Sequence, residues 1–212
     1  MIVIVDYGAG NLTSVERAVS YIGFKSVITD DPKKIVAADK IIFPGVGAAG
    51  AAMETMQKKG IDIALKQSFN SKTPMLGICI GCQIIMDRSD ENNAQCLGLI
   101  SGETRAFSNQ MAATFSDNYL KVPHMGWNGL KTAQDHPLFK GIEPKDEFYF
   151  VHSYFPVPIN QENIYGTTEY GITFASVIGK DNLFATQFHL EKSGEPGLII
   201  LKNFCLWSPL NS

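Results

Sequence analysis

Long hydrophobic runs, an excess of charge of one sign, internal repeats and a dense cysteine framework are all missing from this 212-residue sequence, and each absence removes a class of protein. No apolar stretch approaches the roughly 18 residues that a membrane-spanning helix needs. The opening "MIVIVDYGAGN" has only a short apolar run before Asp6 and no basic segment ahead of it, so it does not read as a secretory signal. A soluble, cytoplasmic protein is expected. With 18 Lys and Arg against 21 Asp and Glu, the net charge of -3 gives no electrostatic reason to expect nucleic acid or an anionic membrane surface as partner. Four cysteines (Cys79, Cys82, Cys96 and Cys205) are too few for a disulfide scaffold and are expected as reduced thiols. No second cysteine pair or close His-x-His cluster completes a metal site, so no metal is expected, and no cofactor. Without Pro- or Ser-rich linkers, residues 1–212 read as one domain, and 45% hydrophobic residues suffice for its core.

What is present is an alternation of short β-branched runs with helical periodicity. "MIVIV" (1–5) is a strand signal and "NLTSVERAVSYIG" (11–23) a helix closed by Gly23. "SVIT" (26–29), "KIIFPG" (40–45) and "PMLGIC" (74–79) repeat the buried-strand signature, with the helical stretches "AAGAAMETMQKKG" and "IDIALKQSFN" between the last two. This pattern predicts an α/β fold, an open and mostly parallel sheet flanked by helices. After about residue 96 the strand signals crowd together: "GLISGETRAF", "NYLKVPH", "EFYFVHSYF", "IYGTTEYG", "TFASVIGK" and "NLFATQFH". These predict additional antiparallel strands in the C-terminal half, before a last helix, "EPGLIILKNFCLW" (195–207).

Active sites of open α/β sheets form at the carboxyl ends of the strands, where "GICIGCQ" (77–83) places Cys79. A residue on a tight strand-to-helix turn needs small neighbours two positions either side, and Gly77 and Gly81 stand there. This is the Gly-x-Ser-x-Gly nucleophile elbow with sulfur for oxygen. Such a turn aims the backbone N–H of Ile80 at an oxyanion, and the start of a helix favours a thiolate. A thiol nucleophile needs a base with an orienting partner, and "ATQFHLEKS" offers His189 with Glu191 two residues on, on one face if the chain there is extended. Three other readings stay open: a Cys79/Cys82 redox pair, a partial metal site, and two structural cysteines, Cys82 being a natural small buried residue.

"GVGAAG" (45–50) has the spacing of a dinucleotide fingerprint, but Pro44 precedes it and no strand ending in an acidic residue follows about 20 positions on. A better use is a second oxyanion donor, from the segment Pro44-Gly45-Val46-Gly47, whose glycines would let it swing in or out of place.

"GICIGCQ" with "FHLE" some 110 residues later resembles the class I glutamine amidotransferase signature. Together with "VDYGAGNLTSV", "PGVGAAGAAM", "KVPHMGWN", "FYFVHSYF" and "ATQFHLEKSG", it is similar, nearly end to end, to the glutaminase subunits of imidazole glycerol phosphate synthase in histidine biosynthesis. The resemblance implies a Cys79–His189–Glu191 triad that hydrolyses L-glutamine to glutamate and ammonia through a thioester. It implies an oxyanion hole from Ile80, Val46 and Gly47, and glutamine held by Gly45, Gln83, Ser153 and Tyr154. Ammonia would pass to a (βα)₈ cyclase subunit forming imidazole glycerol phosphate and an aminoimidazole carboxamide ribonucleotide, with Asn11, His124, Trp127, Tyr149 and Lys192 at the interface and gate. Leu190 departs from the proline usual between His and Glu, which would loosen the turn aligning Glu191.

Read without the resemblance, His136 is a surface-loop histidine, His152 a hydrogen-bonded structural one and Lys192 a solvated lysine, while Trp127 in a turn-rich stretch suits a partner anchor. Two alternatives stand beside the glutaminase: a paralogue feeding a different synthase, such as a sugar amidotransferase, and a thiol redox or binding protein using Cys79 and Cys82.

Overall fold

A computed structural model describes residues 1–108 and 120–209. The first half of the chain alternates strand and helix: β1 (Ile2–Val5), α1 (Leu12–Tyr21), β2 (Ser26–Thr29), α2 (Pro32–Val36), β3 (Lys40–Gly45), α3 (Ala49–Lys59), α4 (Ile61–Asn70), β4 (Met75–Cys79) and the single turn α5 (Ile80–Gln83). The second half is richer in strands: β5 (Arg88–Ser89), β6 (Ala94–Gln95), β7 (Gly102–Ala106), β8 (His124–Gly129), β9 (Lys131–Thr132), β10 (Glu147–His152), β11 (Tyr154–Pro158), β12 (Ile164–Tyr170), β13 (Ile172–Lys180), β14 (Leu183–Thr186) and α6 (Gly194–Leu206).

Eight strands form the main sheet in the order β2-β1-β3-β4-β14-β13-β12-β9. The first five are parallel and the last three antiparallel. This is the expected α/β class, with the antiparallel strands at one side. Period-two alternation places side chains on both faces. Ile2 and Ile4 of β1 pack with Val15 and Val19 of α1 and Ile200, Leu201 and Phe204 of α6. Val3 and Val5 pack with Met53 and Met56 of α3 and Leu65 of α4. Covering both faces explains why these strands read as unbroken apolar runs. A four-stranded sheet (β11-β7-β5-β6) and the hairpin-like pair β8 and β10 lie beside the main sheet.

The sequence reading needs three corrections here. Helix α2 is missed, although Asp31 accepts from the Lys33 N–H (2.9 Å) and Pro32 opens the helix, a combination that marks an N-terminus. The strand expected at "NYLKVPH" begins only at His124; residues 120–123 are irregular and Asn118 and Tyr119 lie outside the described residues. Strands β5, β6 and β9 span two residues each, too short to leave a pattern. Among the described residues, no helix is long and apolar enough to cross a membrane.

Candidate active site

The carboxyl ends of β1, β3, β4 and β14 share one edge of the sheet, and the loops that leave them bring the sequence-derived residues together. Cys79 ends β4 directly beside Gly45 of β3. Its backbone, at φ 54° and ψ -104°, lies outside the regions open to ordinary residues. The turn that imposes this is tight for a visible reason. A Cβ on Gly81 would stand 2.1 Å from the Phe43 carbonyl oxygen, and one on Gly77 would stand 2.8 Å from that of Gly81. The expectation of a glycine-flanked elbow therefore holds, with both obstructions identified. The helix that follows, α5, is a single turn, so its macrodipole is small and the start of a helix favours a thiolate here less than a longer one would.

His189 and Glu191 pair, but not along an extended strand. β14 stops at Thr186, and residues Leu190–Lys192 form a 3₁₀ turn that folds Glu191 back on the histidine. His189 Nδ1 and Glu191 Oε1 are 2.7 Å apart. The same oxygen accepts from Asn11 Nδ2. Leu190 is fully buried against the apolar cluster of α1 and α6; packing, rather than a proline ring, fixes this turn. Ser193 fastens it further, its hydroxyl donating to the His189 carbonyl (2.6 Å) and accepting from the Tyr149 N–H (3.0 Å).

Burial pushes the His189 imidazole down, but the nearby Cys79 charge and Glu191 outweigh it and raise the ring to about 10. Nε2 of His189 is buried and makes no hydrogen bond. A proton acceptor oriented through Nδ1 and open at Nε2 is the arrangement a neighbouring thiol requires, and apo geometry of this kind tightens on substrate binding.

A cavity of about 310 Å³ opens over the thiol, lined among others by Val46, Gly47, Ile80, Gln83, Ser153 and Tyr154. Gly47 has φ +117° and open space around it. Gly45, expected to hold glutamine, does not line this cavity. It is buried in β3, where an added Cβ would strike Ile80, Tyr7 and Ala9, so its part is close packing. Gln83 lines the cavity but is almost wholly buried, its Nε2 donating to the Tyr154 carbonyl (3.0 Å) and to Gln187 Oε1 (3.2 Å).

Of the residues expected at an interface, Asn11 touches Glu191, and Trp127 (54% exposed), Tyr149 and Lys192 form one group. The Trp127 and Tyr149 rings are 6.0 Å apart, and Lys192 Nζ lies 5.8 Å from the Tyr149 ring centre. His124 does not join them. It is 2% exposed, stacked between Phe150 and Tyr170 and 3.0 Å from His152. Alternation along β8 turns Met125 and Trp127 outward and His124 inward. Burial lowers His124 to about 4 and His152 to about 3. His152, bonded also to the Tyr154 carbonyl, is the structural histidine expected. His136 is not a free loop residue: it packs on Tyr165, Phe184 and Trp207 and accepts from the Leu138 N–H, and burial lowers it to about 4.

Four residues of the site escape the sequence reading. Glu91 lines the cavity and accepts from the Ala49 N–H at the start of α3 (2.6 Å). A carboxylate thus occupies the place a dinucleotide pyrophosphate would take after "GVGAAG". Tyr7 is buried with its hydroxyl unpartnered, and burial, then the Cys79 charge, holds it well above the usual tyrosine range. Val151 offers its carbonyl to Cys79 Sγ (4.0 Å). Gln187 Nε2 points at the same sulfur (3.8 Å). Only Gln187 carried a signal, as a polar residue inside an apolar run. Cys82 is fully buried, and burial, then the Cys79 charge, pushes its thiol well above the ordinary range, which suits a packed cysteine better than a reactive one.

This fold and this edge-of-sheet site define a class, and comparison with known proteins names it: residues 3–207 match glutamine amidotransferase class-I, and the chain belongs to that family. A protein of Maridesulfovibrio salexigens named imidazole glycerol phosphate synthase subunit HisH is 50% identical over 204 residues, covering 96% of this chain and 95% of that one. One of the same name from Neisseria gonorrhoeae is 45% identical over 210 residues, covering 96% and 98%. Within the family the chain groups with these, and it is an enzyme, a glutamine amidotransferase. A solved glutamine amidotransferase matches the fold with a TM-score of 0.73 at 13% identity, covering 97% of this chain and all of the other. The structure titled PurLQS from Thermotoga maritima does so with 0.73 at 17%, covering 97% of each.

Proposed function

We propose that Cys79, His189 and Glu191 hydrolyse the side-chain amide of L-glutamine, and that the ammonia passes to a (βα)₈ cyclase subunit of an imidazole glycerol phosphate synthase. One observation carries the chemistry: a buried imidazole clamped through Nδ1 on Glu191, with Nε2 unpartnered and charge-coupled to a thiol on a strained elbow.

Glutamine enters the cavity with its amide carbon over Cys79 Sγ. The Glu91 carboxylate suits its α-ammonium group, and Gln83, Ser153 and Tyr154 suit its remaining polar atoms. Sulfur attacks, the carbonyl π-electrons move to oxygen, and N–H groups of Ile80 and of the Val46–Gly47 segment receive the oxyanion. The imidazolium gives its Nε2 proton to the leaving nitrogen, the C–N bond breaks and ammonia departs, leaving a glutamyl thioester. Water, deprotonated by the now neutral imidazole, adds to the thioester; C–S cleavage releases glutamate and restores the thiolate–imidazolium pair.

The partner reading rests on the names of the relatives and on the exposed group Met125, Trp127, Tyr149 and Lys192, which adjoins the His189 turn. An aromatic and long-chain patch of this kind is what an interface anchor needs. In this reading residues 1–212 act as one cytoplasmic glutaminase domain. Glutamate release should be low for the chain alone and rise at least ten-fold with the cyclase and its nucleotide ligand. Release that this partner leaves unchanged would keep the triad and reject the partner.

A further inference from the structure

Four groups define the environment of the Cys79 sulfur, and two have entered the chemistry so far: the His189 ring and the Ile80 turn. The others are the Val151 carbonyl at 4.0 Å and the Gln187 side-chain amide at 3.8 Å. They act in opposite senses. A carbonyl oxygen accepts only from a protonated thiol, whereas an N–H donor binds sulfur best when it is a thiolate.

Which end of the Gln187 amide faces sulfur is fixed by a chain of contacts. Gln83 Nε2 donates to the Tyr154 carbonyl (3.0 Å), which accepts only, so this end of Gln83 is its NH₂. The same nitrogen donates to Gln187 at 3.2 Å, which must therefore present Oε1 to it and Nε2 to Cys79. Both glutamines are buried, Gln187 fully and Gln83 to 4% exposure. Flipping Gln187 would set two NH₂ groups against each other in a site closed to water, at the cost of an unpaired buried donor. The backbone of Gln187 is also held, its N–H donating to the Ser176 carbonyl (2.8 Å).

We infer that Gln187 is a further catalytic residue of this enzyme: its Nε2–H stabilises the Cys79 thiolate and aims the sulfur, and Gln83, on the wall of the substrate cavity, locks the amide in that orientation. The assignment rests on the reading of Cys79 as nucleophile. His189 takes the proton from sulfur, while Gln187 lowers the free energy of the anion left behind. The Val151 carbonyl works against that anion, and Gln187 is the side-chain N–H donor that offsets it beside the His189 ring.

Gln187→Met keeps the length of the side chain and removes the donor. It leaves one Gln83 N–H without its acceptor, while the other keeps the Tyr154 carbonyl, so some loss of stability is expected beside the shift. The test is the pH profile of Cys79 alkylation by iodoacetamide in the full chain, with Cys79→Ala as background for the other thiols. The midpoint should rise by about one pH unit, making alkylation roughly ten-fold slower near pH 7. The acid limb of glutaminase activity with the liganded cyclase should move with it, and kcat should fall more than KM rises. Should Gln187→Met fail to fold, Gln83→Leu frees the amide instead. Its other contact, the Tyr154 carbonyl, stays satisfied by His152, and the midpoint should rise by a smaller amount.

An unmoved alkylation midpoint in a folded Gln187→Met overturns the inference, including when melting temperature falls, since a merely structural role would produce that. A shifted midpoint in a chain with no glutaminase activity would uphold the contact and reject the nucleophile's proposed use. Wild-type glutaminase with no shift in the variant would do the reverse.

Discussion

Cys79 adopts a conformation that costs about 1–3 kcal/mol for a residue with a side chain, and the surroundings that enforce it are two glycines and the carbonyls of Phe43 and Gly81. Gly81→Ala sets a methyl group 2.1 Å from the Phe43 oxygen, so one strand or the elbow must move. The expected loss is more than about 2 kcal/mol of stability, read by urea unfolding, together with loss of glutamine hydrolysis. The two cysteines of "GICIGCQ" separate cleanly: Cys79→Ala should abolish glutamate release, while Cys82→Ala, which trims a buried thiol, should retain most of it. Equal loss in both would restore the redox reading. This much was legible from residue types and spacing, because a nucleophile elbow leaves a local signature. Glu91 and Val151 leave none, and Gln187 only its polarity inside an apolar run: each reaches the sulfur or its cavity from an element more than ten residues away, by contacts that only the folded chain creates.

Between elements, the turn holding His189 and Glu191 is tied to β10 by Ser193 and to the loop after β1 by Asn11. Removing the Ser193 hydroxyl leaves the Tyr149 N–H without this partner and the His189 carbonyl with the Lys192 N–H alone (3.1 Å). Ser193→Ala should cost about 1–3 kcal/mol and lower kcat with little change in KM, because it frees the base without touching the substrate cavity. Steady-state kinetics beside thermal melts would check this. Trp127→Ala, on the exposed face of β8, should change stability by no more than about 0.5 kcal/mol yet weaken cyclase binding by at least ten-fold, measurable by titration calorimetry. At this scale the inner parallel strands β1, β3, β4 and β14 were readable as apolar runs, since both their faces are buried, unlike those of the edge strand β2. The Leu190 turn was misjudged, because a proline is visible in a sequence and a well-packed leucine is not. The short strands of the second sheet are set by neighbours and lie below any periodic signal.

For the molecule as a whole, its four histidines share a property. His124, His136 and His152 are held near 4, 4 and 3 by burial, and His189 is raised to about 10. None titrates between about pH 5 and 8 in the folded state, whereas all four do so near 6.5 once unfolded. Below about 6.5 the unfolded chain binds more protons through the three depressed rings, so stability falls as pH drops toward 4. Above about 6.5 the folded chain retains the His189 proton, so that contribution is lost as pH rises through about 10. The melting temperature should peak near pH 6.5 and decline on both sides. Histidine ring resonances should stay flat from pH 5 to 8. Cys79→Ala, which removes the larger of the two influences that raise His189 and leaves Glu191, should make the alkaline side shallower and leave the acid side alone. A ring that titrates near 6.5 in the native chain would contradict this account.

The order of strands in the main sheet also bears on how the protein is made. β14, synthesised near the end of the chain, sits in the middle of the sheet between β4 and β13. Until it emerges, β4 has an unpaired edge, and the thiol at the tip of β4 has neither His189 nor Gln187 beside it. More than a hundred residues separate Cys79 from His189, on the order of ten seconds at ordinary translation speeds. A nascent or truncated chain is therefore a poor glutaminase but a sticky one, offering an open apolar strand to any neighbour. Activity and protection from aggregation arrive together, when the last strand enters the sheet.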